Sequence, residues 1–174
     1  MRDSVRRRYR LLGLPAMCVA GVAVAAAMSG CSVGGETCSL NGSAAFTPGL
    51  RTGQQAISYT FTGTLKLCSG AAFGDSSIHT ATVSASGSGA MVGCTGGNTS
   101  GTATIGWSNG QTSTVSFTTS GALNAVTVTG KITSGEFAGH MVHAVLAFTV
   151  SSPTACNTPT GVTSAAFSGE TVPE

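Results

Sequence analysis

Thr102-Ala103-Thr104-Ile105-Gly106-Trp107-Ser108-Asn109-Gly110-Gln111-Thr112-Ser113-Thr114-Val115-Ser116-Phe117-Thr118 decides the fold. Apolar and hydroxyl side chains alternate on both sides of Asn109-Gly110. A period of two belongs to a half-buried strand, whose successive side chains point to opposite faces. Asn-Gly suits both positive-φ sites of a type I′ turn, so Thr102–Trp107 is expected to pair with Thr112–Thr118 as a hairpin. Ala103, Ile105 and Trp107 then share a core face with Val115 and Phe117.

The same pattern recurs outward from this hairpin. Leu40–Phe46 ends at Thr47-Pro48-Gly49, and Ile57–Leu67 alternates apolar with hydroxyl residues. In Ile78–Met91, Ala81, Val83 and Ala85 point one way while Thr80, Thr82, Ser84 and Ser86 point the other. Gly87 and Gly89 suggest a bend or bulge in that strand. Val126–Ile132, Val142–Val150 and Val162–Phe167 complete the set, with Ser134–Gly139 as one turn. Helix-forming stretches rich in Glu, Lys and Leu are absent, whereas Thr and Val favour strands. A disordered Ser/Thr/Gly stalk has no core to pattern for, so the alternation argues against one. The expectation is an all-β domain: an antiparallel meander of about eight strands forming a barrel or a sandwich.

Before this domain stands a leader. Arg6-Arg7-Arg8-Tyr9-Arg10 precedes an apolar run from Leu11 to Met28, which ends at Met28-Ser29-Gly30-Cys31. A basic patch, an apolar core and small residues before a cysteine read as an export signal that is cut and lipidated. Residues 1–30 are therefore expected to be a lipoprotein-type signal peptide and Cys31 the lipidated residue. Residues 31–37 then form a short tether, and 38–174 a single β domain. Met28 stands where a lipobox usually has leucine. The alternatives are ordinary cleavage near Ala25–Met28, which gives a freely secreted protein, and an uncleaved signal anchor. The expected location is the outer face of the cell membrane, with the membrane as partner through the lipid.

Cysteine parity agrees with this. Cys18 leaves with the leader and Cys31 takes the lipid, so Cys38, Cys68, Cys94 and Cys156 remain as an even set for two disulfides. In a meander each connection belongs to one of two ends. Cys38 and Cys68 share the end called here the top, and Cys94 and Cys156 share the bottom. The expected pairs are Cys38–Cys68 and Cys94–Cys156. No two cysteines stand at CxxC spacing, which disfavours zinc.

The chain's formal charge of +2 is positive because of the leader's five arginines, Arg2, Arg6, Arg7, Arg8 and Arg10. Beyond it only Arg51, Lys66 and Lys131 are cationic, against Glu36, Asp75, Glu136, Glu170 and Glu174, a balance of −2. Nucleic-acid binding needs clustered Lys and Arg, and none remain, so no nucleic-acid partner is expected.

Candidate chemistry gathers at the top, where Asp75, His79, Asn109, Glu136, Phe137 and His140 form a candidate ligand rim. His140 and His143 have HxxH spacing, but on a strand their rings point to opposite faces, so no metal site is expected. There is no GxSxG elbow for a serine hydrolase. Only Asp75 and Glu136 could serve as the paired carboxylates of a glycosidase. Tyr59 and Trp107 lie on apolar faces and read as core. No phosphate loop, dinucleotide fingerprint or calcium loop is present, and no cofactor is expected.

Cys38-Ser39-Leu40-Asn41-Gly42, Tyr59–Leu65, Gly106–Val115 and Thr133–Gly139 resemble segments of small uncharacterised secreted proteins and lipoproteins of high-GC Gram-positive bacteria. These segments are turns and strands, and the resemblance implies an all-β fold with no assigned activity. The leading expectation is a non-catalytic envelope or secreted domain, structural or adhesive. The alternative is a small-molecule-binding barrel with its site in the interior or at the rim of Asp75, His79, Glu136 and His140.

Overall fold

The structure is a computed structural model and describes residues 37–66, 75, 77–152 and 154–173. The leader over 1–30, Cys31, most of the tether, and Cys68 lie outside the described residues.

Eight antiparallel strands follow one another as a meander and close on themselves as a barrel: β1 (Cys38–Leu50), β2 (Gln55–Lys66), β3 (Ala81–Gly93), β4 (Gly96–Trp107), β5 (Thr112–Ala122), β6 (Ala125–Gly135), β7 (Met141–Thr149) and β8 (Val162–Pro173). Of the two architectures expected, the barrel is the one formed. β8 returns to β1, with Cys38 opposite Thr171 and Ala44 opposite Ala165. Closure leaves no sheet edge to pair with another chain.

Alternation sets which residues face inward. Ala81 and Ala85 of β3, Ala103, Ile105 and Trp107 of β4, and Val115 and Phe117 of β5 are buried, as their period-two pattern requires. Hydroxyls face outward in rows across the strands. Ser43, Thr62, Ser84, Thr104 and Thr114 are successive cross-strand neighbours, and all are exposed. A lipid-spanning barrel turns its apolar residues outward, so this pattern is the inverse of one.

Large rings fit inside the barrel because glycines stand opposite them. Tyr59 is the cross-strand partner of Gly87, Phe117 of Gly101, and Phe167 of Gly42. A Cβ at Gly87 would meet Tyr59 Cζ at 2.6 Å, and one at Gly101 would meet Phe117 Cζ at 2.8 Å. Alternating small and large residues in this way packs aromatics inside a closed sheet. Gly87 is thus a seat for Tyr59. The expected bulge lies just beyond it, where the β3–β4 register shifts between Ser88 and Val92.

The central hairpin forms as expected, with Ala103 opposite Val115, but its turn differs. The Gly110 N–H donates to the Trp107 carbonyl at 2.9 Å, and the Trp107 N–H donates to Gln111 at the same distance. Gly110 alone in this loop has positive φ, at +85°. The loop is therefore a type I turn followed by a glycine bulge rather than a type I′ turn. Asn109 does not need the left-handed region, because its Oδ1 accepts the Gln111 N–H at 3.0 Å.

One disulfide is described, Cys94–Cys156, rather than the two expected. It joins the β3–β4 and β7–β8 connections at the bottom, as the meander requires. Cys38 is buried and disulfide-bonded, while Cys68 lies outside the described residues. Around Cys94–Cys156 the bottom connections are tied together. The Thr52 N–H donates to the Cys156 carbonyl at 3.0 Å, the Cys94 N–H to Arg51 at 2.8 Å, and the Arg51 guanidinium to the Pro159 carbonyl.

Candidate functional site

The topology places the expected rim residues at one end, but their recorded contacts are mostly those of turns. Asp75 Oδ1 accepts from the Ser77 hydroxyl at 2.7 Å and the Ser77 N–H at 2.8 Å, and these bonds hold its carboxyl below the ordinary range. The His79 N–H donates to Ser108 Oγ at 3.2 Å, and the Ser108 N–H returns to Thr80 at 3.0 Å. That exchange pins the segment before β3 to the β4–β5 turn. Glu136 and His140 shape the β6–β7 turn: the Glu136 N–H donates to Thr112 at 2.9 Å, and the His140 N–H to Phe137 at 3.1 Å. His143 is half-buried on the outer parity of β7, across from Thr129 and Val172. Among the described residues, no three His, Cys, Asp or Glu side chains could hold a metal ion.

Phe137 has a different role. It is the single non-glycine residue with positive φ among those described, at +60°. The left-handed region costs about 1–2 kcal/mol for an L residue. The Phe137 ring meets Trp107 edge-on at 5.3 Å, and this packing offsets the cost. Beneath it, Trp107 Nε1–H donates to Ser113 Oγ at 2.8 Å, and Ser113 Oγ donates to the Glu136 carbonyl. Ile78 and Ile132, 1% and 0% exposed, complete the cover at the top. Leu50, Ile57, Val92 and Val162 close the bottom and are all buried.

Between these two buried layers the barrel is incompletely filled. An apolar cavity of about 100 Å³ lies in the upper half, walled by Leu40, Phe61, Val83, Ala85, Ala103, Val128 and Val142 among others, with Thr171 at its margin. Val83 is only partly buried, although Ala81 and Ala85 on either side of it along the same face are buried. Inward residues that keep surface at mid-barrel are facing a void. By the measured dependence of core stability on cavity volume, a void this size costs about 2 kcal/mol if left empty. A second void of about 50 Å³ lies in the lower half beside Phe46, Tyr59, Thr99, Thr119 and Phe148.

The lower void contains the interior's polar chain. Tyr59 OH and Thr99 Oγ1 are 2.8 Å apart, and Thr99 Oγ1 and Thr119 Oγ1 are 2.7 Å apart. Burial pushes the Tyr59 phenol above its ordinary pKa, and the bond to Thr99 pulls the other way without cancelling it. A phenol whose pKa is raised on folding stabilises the fold fully below the unfolded value of 10.0, and that stability is lost as pH rises through the folded value. The chain's other tyrosine, Tyr9, stands before the first strand in sequence. Ultraviolet titration of the barrel domain is therefore expected to show a tyrosinate midpoint above 10, falling to the ordinary value in denaturant.

Alternation reveals which residues face inward, but a void depends on how their volumes sum around the ring. For this reason the interior is legible in the sequence as a site, and its wall residues are not. Comparison with protein-family models, curated proteins and solved structures found no match to this chain.

Proposed function

We propose that this chain is an exported, non-catalytic binding barrel that takes a small apolar molecule into its interior. In this reading Cys31 carries a lipid that holds the domain at the outer face of the cell membrane, and intact-mass analysis of the exported protein finds a diacylglycerol adduct there. One observation carries the binding role: an apolar cavity of about 100 Å³ between two buried layers of a closed barrel. Apolar voids of this order stay dry and accept small hydrocarbons or xenon. Filling Ala85 or Ala103 with a larger side chain would remove the void, yet the chain has alanine at both.

The test is a methyl-detected NMR titration with benzene. Shifts are expected in Val83, Val115, Val128 and Val142, and not in the outward Val145. Ala103→Leu places its added carbons in the cavity, so it is expected to abolish those shifts while raising stability by about 1 kcal/mol. Unchanged wild-type spectra would remove the reading.

A second reading, a structural or adhesive envelope domain, is favoured by the outer rows of exposed hydroxyls such as Thr62, Ser84, Thr104 and Thr114. A benzene-silent barrel that still associates with envelope material would support it instead.

A further inference from the structure

The two interior voids share one wall residue, Phe61. Its ring points inward yet is only partly buried, since it has empty space both above and below. Around it stand Tyr59 at 5.0 Å, Phe167 at 5.4 Å and Phe148 at 5.9 Å between ring centroids, all tilted rather than stacked. A ring flanked by voids can change rotamer without displacing backbone. With that ring turned aside, the upper and lower spaces would form one shaft along the barrel.

The shape of that shaft limits its occupant. The two spaces, about 100 Å³ and about 50 Å³, lie end to end rather than side by side. The upper walls are apolar, and in the lower space the hydroxyls of Tyr59, Thr99 and Thr119 are already bonded to one another. Two small spaces placed end to end suit a slender chain and disfavour a fused-ring molecule of equal carbon count. We propose, building on the ligand-binding reading above, that the occupant is a single unbranched hydrocarbon chain, and that Phe61 determines how long a chain is accepted. The chain alone occupies the interior and a charged head group has to stay in water at a barrel end, a chemistry that a free fatty acid and the acyl tail of a membrane lipid share.

The test is a chain-length series of saturated fatty acids, and lysophospholipids bearing the same chains, against wild type, Phe61→Ala, Phe61→Leu and Phe61→Trp. Affinity is expected to rise roughly three- to fourfold per methylene up to a cutoff length and then to stop rising. In Phe61→Ala or Phe61→Leu the cutoff moves to longer chains, so an acid two carbons beyond the wild-type limit binds about tenfold tighter than to wild type. In Phe61→Trp it moves to shorter chains. Phe61→Leu and Phe61→Trp carry the test should Phe61→Ala not fold. Binding of the acids alone points to a free fatty acid, and binding of the lysophospholipids to a membrane lipid; either supports the proposal. Benzene binding with a cutoff unmoved in every variant overturns the chain-length role and leaves the binding function standing. Cyclic hydrocarbons that bind as tightly as linear ones of equal carbon number overturn the chain shape. If neither benzene nor any chain binds wild type, the binding function falls, and this inference with it.

Discussion

Replacing Cys94 and Cys156 together by serine is expected to lower the barrel's unfolding free energy by about 4 kcal/mol. The bridge spans 62 residues, from the β3–β4 connection to the β7–β8 connection. Cross-linking so distant a pair removes many conformations from the unfolded chain, and this loop-entropy effect sets the magnitude. The folded state contributes as well. Thr52 donates to the Cys156 carbonyl and Cys94 donates to Arg51, so the bridge holds three connections against the bottom of the barrel. A single domain typically has only about 5–15 kcal/mol in all. Denaturant unfolding of the double variant should therefore show a much lower midpoint and, because the unfolded chain is no longer cross-linked, a slope no smaller than that of wild type. A midpoint within error of wild type would mean that the bottom layer is held by packing alone.

Ser113→Ala is expected to cost about 3 kcal/mol. Ser113 is 1% exposed, and its hydroxyl stands between the Trp107 indole N–H and the Glu136 carbonyl. Alanine removes one acceptor and one donor at a place water does not reach, so two polar groups lose this partner together. The loss falls on the turn that holds Phe137 over Trp107. Chemical denaturation measures the energy, and Trp107 emission, the chain's single tryptophan, should shift to the red as the upper cover loosens. A variant as stable as wild type, with unshifted emission, would show that the top is closed without this relay.

The parts of the fold legible in sequence are those where alternation is unbroken. Ala81, Val83 and Ala85 against Thr82, Ser84 and Ser86 fix the facing of β3, and Asn109-Gly110 fixes the hairpin. Strand lengths were less legible where glycine replaces apolar residues. β4 begins at Gly96 rather than Thr102, because Gly96, Gly97 and Gly101 carry no hydrophobic signal. β8 likewise runs to Pro173, beyond the apolar cluster that ends at Phe167. The Cys94–Cys156 pairing was legible from the two ends of the meander alone.

The candidate site was half legible. Topology places Asp75, His79, Glu136 and His140 at the top, but whether side chains converge depends on turn geometry. Here those turns use Ser77, Ser108 and the backbone as partners. The interior was foreseeable as a location, since a closed eight-stranded sheet encloses space for side chains or one small ligand. Its void was not, because it arises from where alanines and glycines fall around the ring relative to Phe61, Phe117 and Phe148.

The most direct test of the central claim is diffraction from crystals of the barrel domain held under xenon pressure. Xenon density is expected inside the barrel between Ala85, Ala103, Val128 and Val142, and absent there in Ala103→Leu crystals treated the same way. A continuous, close-packed interior with no xenon at that position would contradict the account.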